Sequence, residues 1–213
     1  PEAVWRMPSK GTFNLHASLL PKYRGAAPIH WAIINGETET GLTTFFLKHQ
    51  IDTGNIIWQE KEIIKDTDTT GTLSARLMIK GAQLVLKTVR SIEEESYTLT
   101  NQEFSEAQPK APKLFKEDCQ IDWNQEASEI VNFIRGLNPF PTAWTVINQV
   151  VYKIHQAKII QSFDPNLRLG DYQTDGETYL HFRAKDTAVA VTELQAPGKR
   201  KMSIQEFLRG NQL

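Results

Sequence analysis

The sequence predicts an α/β first half followed by a β-rich second half. Before residue 93, β-branched and aromatic runs alternate with amphipathic segments that have helical spacing. After one helical segment, residues 142–194 carry only β-rich runs separated by turn residues. Between the halves, residues 93–113 are polar, contain two spaced prolines and lack apolar periodicity. We therefore expect a domain at 1–92, a linker at 93–113 and a second domain at 114–213.

In the first half, a strand, a loop and a helix are followed by two strands and a long helix. Pro28 suits the first turn of a helix, Gly36 suits its end, and residues 68–72 supply capping side chains for the long helix. The expected elements are a strand at 12–15, a helix at 29–35, strands at 41–48 and 55–62, and an amphipathic helix up to about residue 92.

In the second half, one helix precedes a series of strands. Ile130, Ile134 and Leu137 share a helical face, and Asn138-Pro139 ends that helix. The β-rich runs lie at 142–147, 150–160, 179–183 and 187–194. We expect a small β-barrel or sandwich.

Composition limits the class of protein. The 213 residues are 40% hydrophobic and 23% charged, which is typical of a soluble globular chain. No apolar run approaches the roughly 18 residues of a membrane span, and no secretory signal is visible. A single cysteine, Cys119, fits a reducing compartment, so we expect a cytoplasmic protein. The net charge of −1 means that contact with nucleic acid requires a local basic patch.

The segment around Asn14 and His16 is the first candidate for chemistry. If the strand continues through His16, both side chains lie on one face, about 7 Å apart. An amide donor beside an imidazole suits acyl transfer, because the two can stabilise a developing oxyanion and move a proton. The alternative is a hydrogen-bonded histidine at the end of a strand.

Two loops add further candidates. Asp52, followed closely by Gly54, could stabilise a histidine cation or order a water, although an ordinary Asx turn is the alternative. Residues 21–28 form a basic loop of small residues before a helix, which could bind an anion or be a plain junction.

Together these residues resemble a known family. The string NLHASLLPKYRGAAP from Asn14 to Pro28, with Ile51-Asp52-Thr53-Gly54 downstream, is similar to the formyltransferases that use 10-formyltetrahydrofolate. The resemblance implies a catalytic set of Asn14, His16 and Asp52. It also implies a folate site lined by Ser18, Leu19, Leu20 and Pro21. We expect no metal, because the remaining histidines, His30, His49, His155 and His181, show no ligand spacing.

The second half resembles the C-terminal domain of the branch of this family that formylates initiator methionyl-tRNA. The similar residues are 121–123 and 134–144, with Thr142 where the family commonly has Gly. This resemblance implies an oligonucleotide-binding (OB)-like barrel, a tRNA partner and a monomer. The basic candidates for tRNA contact are Arg24, Lys153, Lys158 and the triplet Lys199, Arg200 and Lys201, although a solvated loop is equally compatible with the triplet.

The family's catalytic domain begins with a nucleotide-fold half that has no counterpart in these residues. We therefore expect the C-terminal half of a Rossmann-like formyltransferase domain, lacking one wall of the folate pocket. Alternative functions are a formyltransferase for a nucleotide-linked amino sugar, a folate-hydrolysing domain of a larger dehydrogenase, and a module that only binds RNA. The sequence has no G-x-G-x-x-G motif, which disfavours the larger enzymes.

Overall fold

The computed structural model describes residues 2–213, which form two compact units. The first contains the described residues up to Ala32, Glu37–Asp68 and Thr72–Lys113. The second contains Ile33–Gly36, Thr69–Gly71 and Leu114–Leu213.

The first unit is built on a three-stranded antiparallel sheet. After a short helix, α1 (Glu2–Trp5), the chain forms β1 (Phe13–His16), β2 (Arg24–Gly25), α2 (Pro28–Ile34), β3 (Glu39–Phe46), β4 (Ile56–Ile63) and α3 (Thr70–Glu93). The sheet order is β1-β3-β4, and β3 is almost wholly buried. The two strands predicted on either side of residues 49–54 are therefore confirmed as an antiparallel pair.

Helix α3 buries the stripe that its sequence predicts. Leu73, Leu77 and Leu84 are at most 2% exposed. Gly81 lies on the same helix, where an added Cβ would lie 2.8 Å from Leu15 Cδ2. The glycine thus permits a close approach of α3 to the sheet, and the buried stripe holds the helix there.

An ion-pair network joins α3 to β4. Arg76 donates from both terminal nitrogens to Asp68 at 2.6 Å and from Nε to Glu62 at 3.0 Å. Lys80 Nζ lies 2.5 Å from the other oxygen of Glu62. The hydrogen bonds from Arg76 hold the pKa of Asp68 far below its usual range, and those from Lys80 and Arg76 lower the pKa of Glu62.

Residues 93–113, predicted from the sequence to be a linker, group with the first unit. Thr100 forms a bridge with Ile56, and β5 (Lys110–Ala111) pairs in parallel with β2. Tyr23 N also donates to Pro109 O at 2.7 Å. This segment is held by backbone hydrogen bonds and has no apolar stripe. Its polar composition therefore does not indicate that it pairs with the first unit.

The second unit is an antiparallel sheet with two α-helices. A 3₁₀ turn (Glu117–Cys119) and α4 (Ala127–Gly136) precede β6 (Ala143–Ile147), β7 (Val150–Ile160), β8 (Tyr172–Thr174), β9 (Leu180–Arg183), β10 (Ala188–Gln195), β11 (Met202–Ser203) and α5 (Ile204–Leu208). The sheet order is β6-β7-β10-β9-β8, with β11 paired to β10. Asn148 and Gln149 have φ values of 48° and 65°, as expected of the tight turn between β6 and β7.

The core of the second unit lies between this sheet and its helices. Ile130, Ile134 and Leu137 are at most 1% exposed, which confirms the predicted helical face. Trp123 stacks on Phe182 with ring centroids 4.0 Å apart and is a core residue.

Thr142 adopts the left-handed region with a φ of 78°. This conformation is unfavourable for a β-branched residue and is natural for glycine, which accounts for the glycine that the resembling family commonly has there. The Thr142 hydroxyl donates to Pro139 O at 2.7 Å.

Among the described helices, none combines the length and the hydropathy that crossing a bilayer requires.

Candidate active site

Strand β1 carries Asn14 and His16 at alternate positions. Asn14 lies opposite Phe45 and His16 lies opposite Thr43 on β3. The spacing places both side chains on the same face of the strand. Asn14 is exposed, whereas His16 is only 6% exposed. A solvent-accessible amide therefore lies next to a buried imidazole.

The imidazole of His16 lies between two oxygen atoms. Its Nε2 is 2.8 Å from the carbonyl oxygen of Tyr23, and its Nδ1 is 3.7 Å from Asp52 Oδ2. Because a carbonyl oxygen only accepts, Nε2 carries a hydrogen and donates it to Tyr23. The Asp52 contact is longer than a hydrogen bond, and it joins opposite charges only when the ring is protonated. A protonated ring would direct an N–H towards an acceptor on each side.

Asp52 reaches this histidine from the loop between β3 and β4. Its φ is 55°, and its carboxylate accepts a hydrogen bond from the Gly25 backbone N–H at 3.1 Å. The side chain is 11% exposed. Because the carboxylate bonds to a residue far along the chain, the alternative of a simple local turn does not describe its role. The family resemblance implies a set of Asn14, His16 and Asp52, and in the structure Asp52 Oδ2 lies 3.7 Å from His16 Nδ1.

Two glycines permit these close approaches. A Cβ on Gly54 would lie 1.5 Å from Phe46 O. Gly25 has a φ of 127°, and its Cβ would lie 2.3 Å from Ala111 O. Side chains at either position would displace the loops that present the Asp52 carboxylate and the Gly25 N–H.

Gln102 is a residue that the sequence analysis missed. Its Nε2 donates to Asp52 O at 3.0 Å and to Gly54 O at 2.8 Å, and its side chain is buried. Its Oε1 is buried without a hydrogen-bond partner in the structure. Nothing in the sequence distinguishes this glutamine within a polar segment, since its two acceptors are backbone carbonyls.

Tyr23 was also missed as a member of this group. It has a φ of 58°, is 4% exposed, and donates from its hydroxyl to Glu37 at 2.8 Å. This fixed position presents its carbonyl oxygen to His16. Tyr23 therefore sets the orientation of the imidazole ring through its backbone.

The four residues predicted to line a folate site lie immediately after β1. Ser18 is fully buried and donates to Lys22 O at 2.7 Å, while Leu20 is 3% exposed and packs with Phe45. Leu19 and Pro21 are partly exposed. The side chains of Ser18 and Leu20 thus belong to the interior of the first unit, and Leu19 and Pro21 face outward in part.

The basic residues predicted to contact tRNA differ in how their charges are used. Arg24 lies over the ring of Phe104, 4.4 Å from its centroid. In the triplet, Lys201 lies 2.7 Å from Glu193 and Arg200 lies 3.4 Å from Glu206, and only Lys199 among the three forms no ion pair with a described residue. Lys153 and Lys158 are exposed on β7.

Among residues 2–213, no group of three or more His, Cys, Asp or Glu side chains could hold a metal ion.

Comparisons with known proteins agree with the fold and identify the family. Two family models match the chain: formyl transferase over residues 1–89 and formyl transferase, C-terminal domain, over residues 113–212. Methionyl-tRNA formyltransferase of Phocaeicola vulgatus is 50% identical over 99% of this chain and 67% of its own length. That of Bacteroides thetaiotaomicron is 48% identical over 100% of this chain and 68% of its own length. The chain thus spans about two thirds of the length of these curated relatives.

Solved structures show the same fold. An N-formyltransferase from Helicobacter canadensis, in complex with folinic acid and dTDP-3-aminofucose, matches with a TM-score of 0.66 at 26% identity, over 84% of this chain and 65% of that chain. HypX from Aquifex aeolicus, in complex with tetrahydrofolic acid, matches with a TM-score of 0.67 at 19% identity, over 98% of this chain and 36% of that chain. Both family models match this chain, and about half of its residues are identical to the curated relatives from Phocaeicola vulgatus and Bacteroides thetaiotaomicron. The chain therefore belongs to the methionyl-tRNA formyltransferase family.

Proposed function

We propose that this protein transfers a formyl group from 10-formyltetrahydrofolate to the free amino group of initiator methionyl-tRNA. The observation that carries the proposal is the group formed by exposed Asn14, buried His16 and Asp52. It is supported by relatives of that name that are about half identical along the whole chain.

The reaction is an acyl transfer between two nitrogens. The amine nitrogen attacks the formyl carbon, a new C–N bond forms, and the carbonyl oxygen gains negative charge before the folate nitrogen leaves. A preorganised donor at that oxygen lowers the barrier. Asn14 is the exposed donor of the group, so we assign the oxyanion contact to its amide.

His16 then exchanges a proton, and Asp52 stabilises the positive charge of the protonated ring. The Tyr23 carbonyl holds Nε2–H, so Nδ1 is the atom that can exchange a proton next to Asp52. A protonated His16 places positive charge beside the reacting oxygen, and the Asp52 carboxylate stabilises that charge. Asp52 also orders the water that removes the amine proton. The hydrogen bond that His16 Nε2–H donates to the Tyr23 carbonyl oxygen keeps the ring oriented for this role.

The donor is a folate derivative, in line with the formyltransferase fold and with neighbours that bind folates. We assign its site to the stretch Ser18, Leu19, Leu20 and Pro21 after β1. Since Ser18 and Leu20 are buried, their contribution is to shape the wall, and the partly exposed Leu19 and Pro21 provide the contact surface.

Two substitutions test the catalytic assignment. Asn14→Ala should lower kcat by about 10²- to 10³-fold, the usual effect of losing one oxyanion donor. Asp52→Asn should lower kcat by orders of magnitude while leaving the Kd for methionyl-tRNA nearly unchanged. The matched controls are Asn101→Ala and Asp66→Asn, both exposed positions in the first unit. Wild-type turnover in Asn14→Ala would refute the oxyanion assignment.

A second candidate acceptor is a nucleotide-linked amino sugar, because a structural neighbour was solved with dTDP-3-aminofucose. Formyl transfer should be assayed with methionyl-tRNA and with this sugar nucleotide on the same preparation. Turnover with the sugar alone would reverse the assignment, and tRNA binding without turnover would instead support a module that only binds RNA.

We further propose a Rossmann-like formyltransferase fold for the first unit and an OB-like barrel for the second. We also propose a cytoplasmic monomer, which light scattering on the purified protein can test. The buried, unpaired Cys119 is compatible with a reducing compartment.

A further inference from the structure

We propose that the second unit binds an unpaired nucleotide of its RNA substrate in a groove beside β9, where the rings of Tyr179 and His181 stack against the base. This inference rests on the proposed function, since methionyl-tRNA is the RNA concerned. It adds a specific contact site, which is lined by Lys158 and includes none of the basic triplet among its lining residues.

The groove consists of two adjoining clefts. The smaller has a volume of about 280 Å³ and is lined by Lys158, Tyr179 and His181, among others. The larger has a volume of about 730 Å³ and includes Arg209. Thr178 and Gln205 line both clefts, so the two form one continuous depression on this unit.

Strand register explains why the smaller cleft has this composition. Ala190 on β10 pairs with Lys158 on β7 and with His181 on β9. Side chains at paired positions lie on the same face of a sheet, so these three form a row across it. Ala190 is 4% exposed and has only a methyl group. The small residue leaves a depression between the Lys158 ammonium and the His181 ring.

The wall of this cleft is a pair of stacked rings. The Tyr179 and His181 ring centroids are 4.3 Å apart with 29° between their planes, and both residues are partly exposed. Burial, with the charge of Lys158, lowers the pKa of His181, which favours the neutral ring. Aromatic and histidine rings of this kind stack on the splayed bases of single-stranded RNA.

Two cations without an ion pair to a described residue line this groove. Lys158 and Arg209 form no ion pair with any described residue, whereas Arg200 and Lys201 of the triplet are paired with Glu206 and Glu193. Unpaired cations are the groups that phosphates recruit.

Two acidic residues lie near these cations. Asp175 is occupied by its own turn, where its carboxylate accepts from the backbone of Glu177, Thr178 and Tyr179. Glu177, exposed at the larger cleft, is the acidic residue that remains next to the groove.

The lining favours RNA over a peptide. An apolar peptide needs exposed hydrophobic anchors, and the large aliphatic residues of the groove, Ile204 and Leu208, are only 7% and 5% exposed. What the groove offers instead is ring faces, amides, hydroxyls and two cations, which are the groups that bind bases and phosphates.

The test separates stacking from charge. We would titrate methionyl-tRNA and a short single-stranded oligouridine against the wild type and two substitutions at one position, His181→Leu and His181→Phe. Loss of the ring in His181→Leu should raise the Kd roughly 5- to 100-fold without changing its salt dependence, and His181→Phe should restore binding. Lys158→Ala should make the log–log salt slope shallower by about 0.7, the value for one phosphate contact with a single strand. The control Lys185→Ala removes an exposed lysine outside the groove.

Each outcome decides the inference. A wild-type Kd for His181→Leu, or competition by an RNA duplex equal to that by the single strand, overturns it. If the wild type binds oligouridine at this groove but not methionyl-tRNA, nucleotide binding at the groove is supported and the proposed function is overturned. If methionyl-tRNA binds and no groove substitution weakens its binding, the proposed function is retained and the groove is overturned as the contact site. Circular dichroism melts confirm that each variant is folded.

Discussion

Gln102 provides the sharpest test of how the first unit holds its carboxylate. Its amide bonds to the carbonyls of Asp52 and Gly54, and Asp52 has a left-handed backbone that its neighbours must maintain. We would replace Gln102 by methionine, which keeps the length of the side chain and removes the amide donors. The loop should then sample other positions, and the carboxylate should lose its alignment with His16.

The expected loss of stability is small because two effects oppose each other. Two hydrogen bonds are worth about 1 kcal/mol each, and the carbonyls they leave unpaired cost more. However, methionine also removes the buried, unpartnered Oε1 of Gln102, which recovers about 1 kcal/mol. The net destabilisation should be about 1 to 2 kcal/mol, measured by urea unfolding.

The substitution should affect the rate of catalysis more than it affects stability. A displacement of about 1 Å in a reacting group can cost about 10²-fold in rate, so kcat for Gln102→Met should fall roughly 10- to 100-fold while KM for methionyl-tRNA stays within about threefold. The control is Gln108→Met, the same substitution in the same segment, where the amide bonds locally to Glu103 O.

A double-mutant cycle with Asp52→Asn supplies the refutation. If Gln102 acts by positioning Asp52, its substitution should cost almost nothing further once Asp52 is already changed. An equal loss of rate in both backgrounds would show that Gln102 has a general structural role, and the positioning argument would be wrong.

Two further predictions concern stability and reactivity. Because ion pairing lowers the pKa of Asp68 and Glu62, the folded carboxyls resist protons that the unfolded chain binds, so their stabilisation is complete above about pH 5 and is lost as the pH falls further. Arg76→Met should lower the free energy of unfolding by about 3 kcal/mol at pH 7. It should also weaken the fall of that free energy below about pH 5, measured by urea unfolding at a series of pH values. An unchanged pH dependence would contradict the network. Cys119 is 1% exposed and bonds to Phe115 O, and burial raises its pKa, so native protein should resist a thiol reagent that reacts fully in urea. Rapid reaction of the native thiol would contradict this burial.

The elements with strong periodicity were predictable from the sequence. Helices α3 and α4 follow from apolar spacing, and the strands β3, β4, β7 and β10 follow from β-branched and aromatic runs. Each of these elements buries part of that pattern. The short strands β2, β5, β8 and β11 did not, since two or three residues carry no periodic pattern and depend on a partner strand. Residues 93–113 illustrate the same limit, as their pairing with the first unit is made by backbone groups.

The candidate site divides in the same way. Asn14, His16, Asp52 and the glycines at 25 and 54 were singled out in the sequence, because side-chain chemistry and backbone freedom are properties of residue type. The sequence did not predict three contacts that hold these groups in place. They are the hydrogen bonds of His16 to the Tyr23 carbonyl, of the Gly25 N–H to Asp52, and of the Gln102 amide to the Asp52 carbonyl.

The sequence by itself determined which groups could perform the chemistry and which segments bury a face. Only the tertiary structure decided which nitrogen of His16 carries its hydrogen, which cations are neutralised by Glu193 and Glu206, and which rings line the groove beside β9. The physical reason is that hydrogen bonds, ion pairs and clefts depend on distances of a few ångströms between residues far apart in the chain, and backbone carbonyls that accept them are identical in every residue.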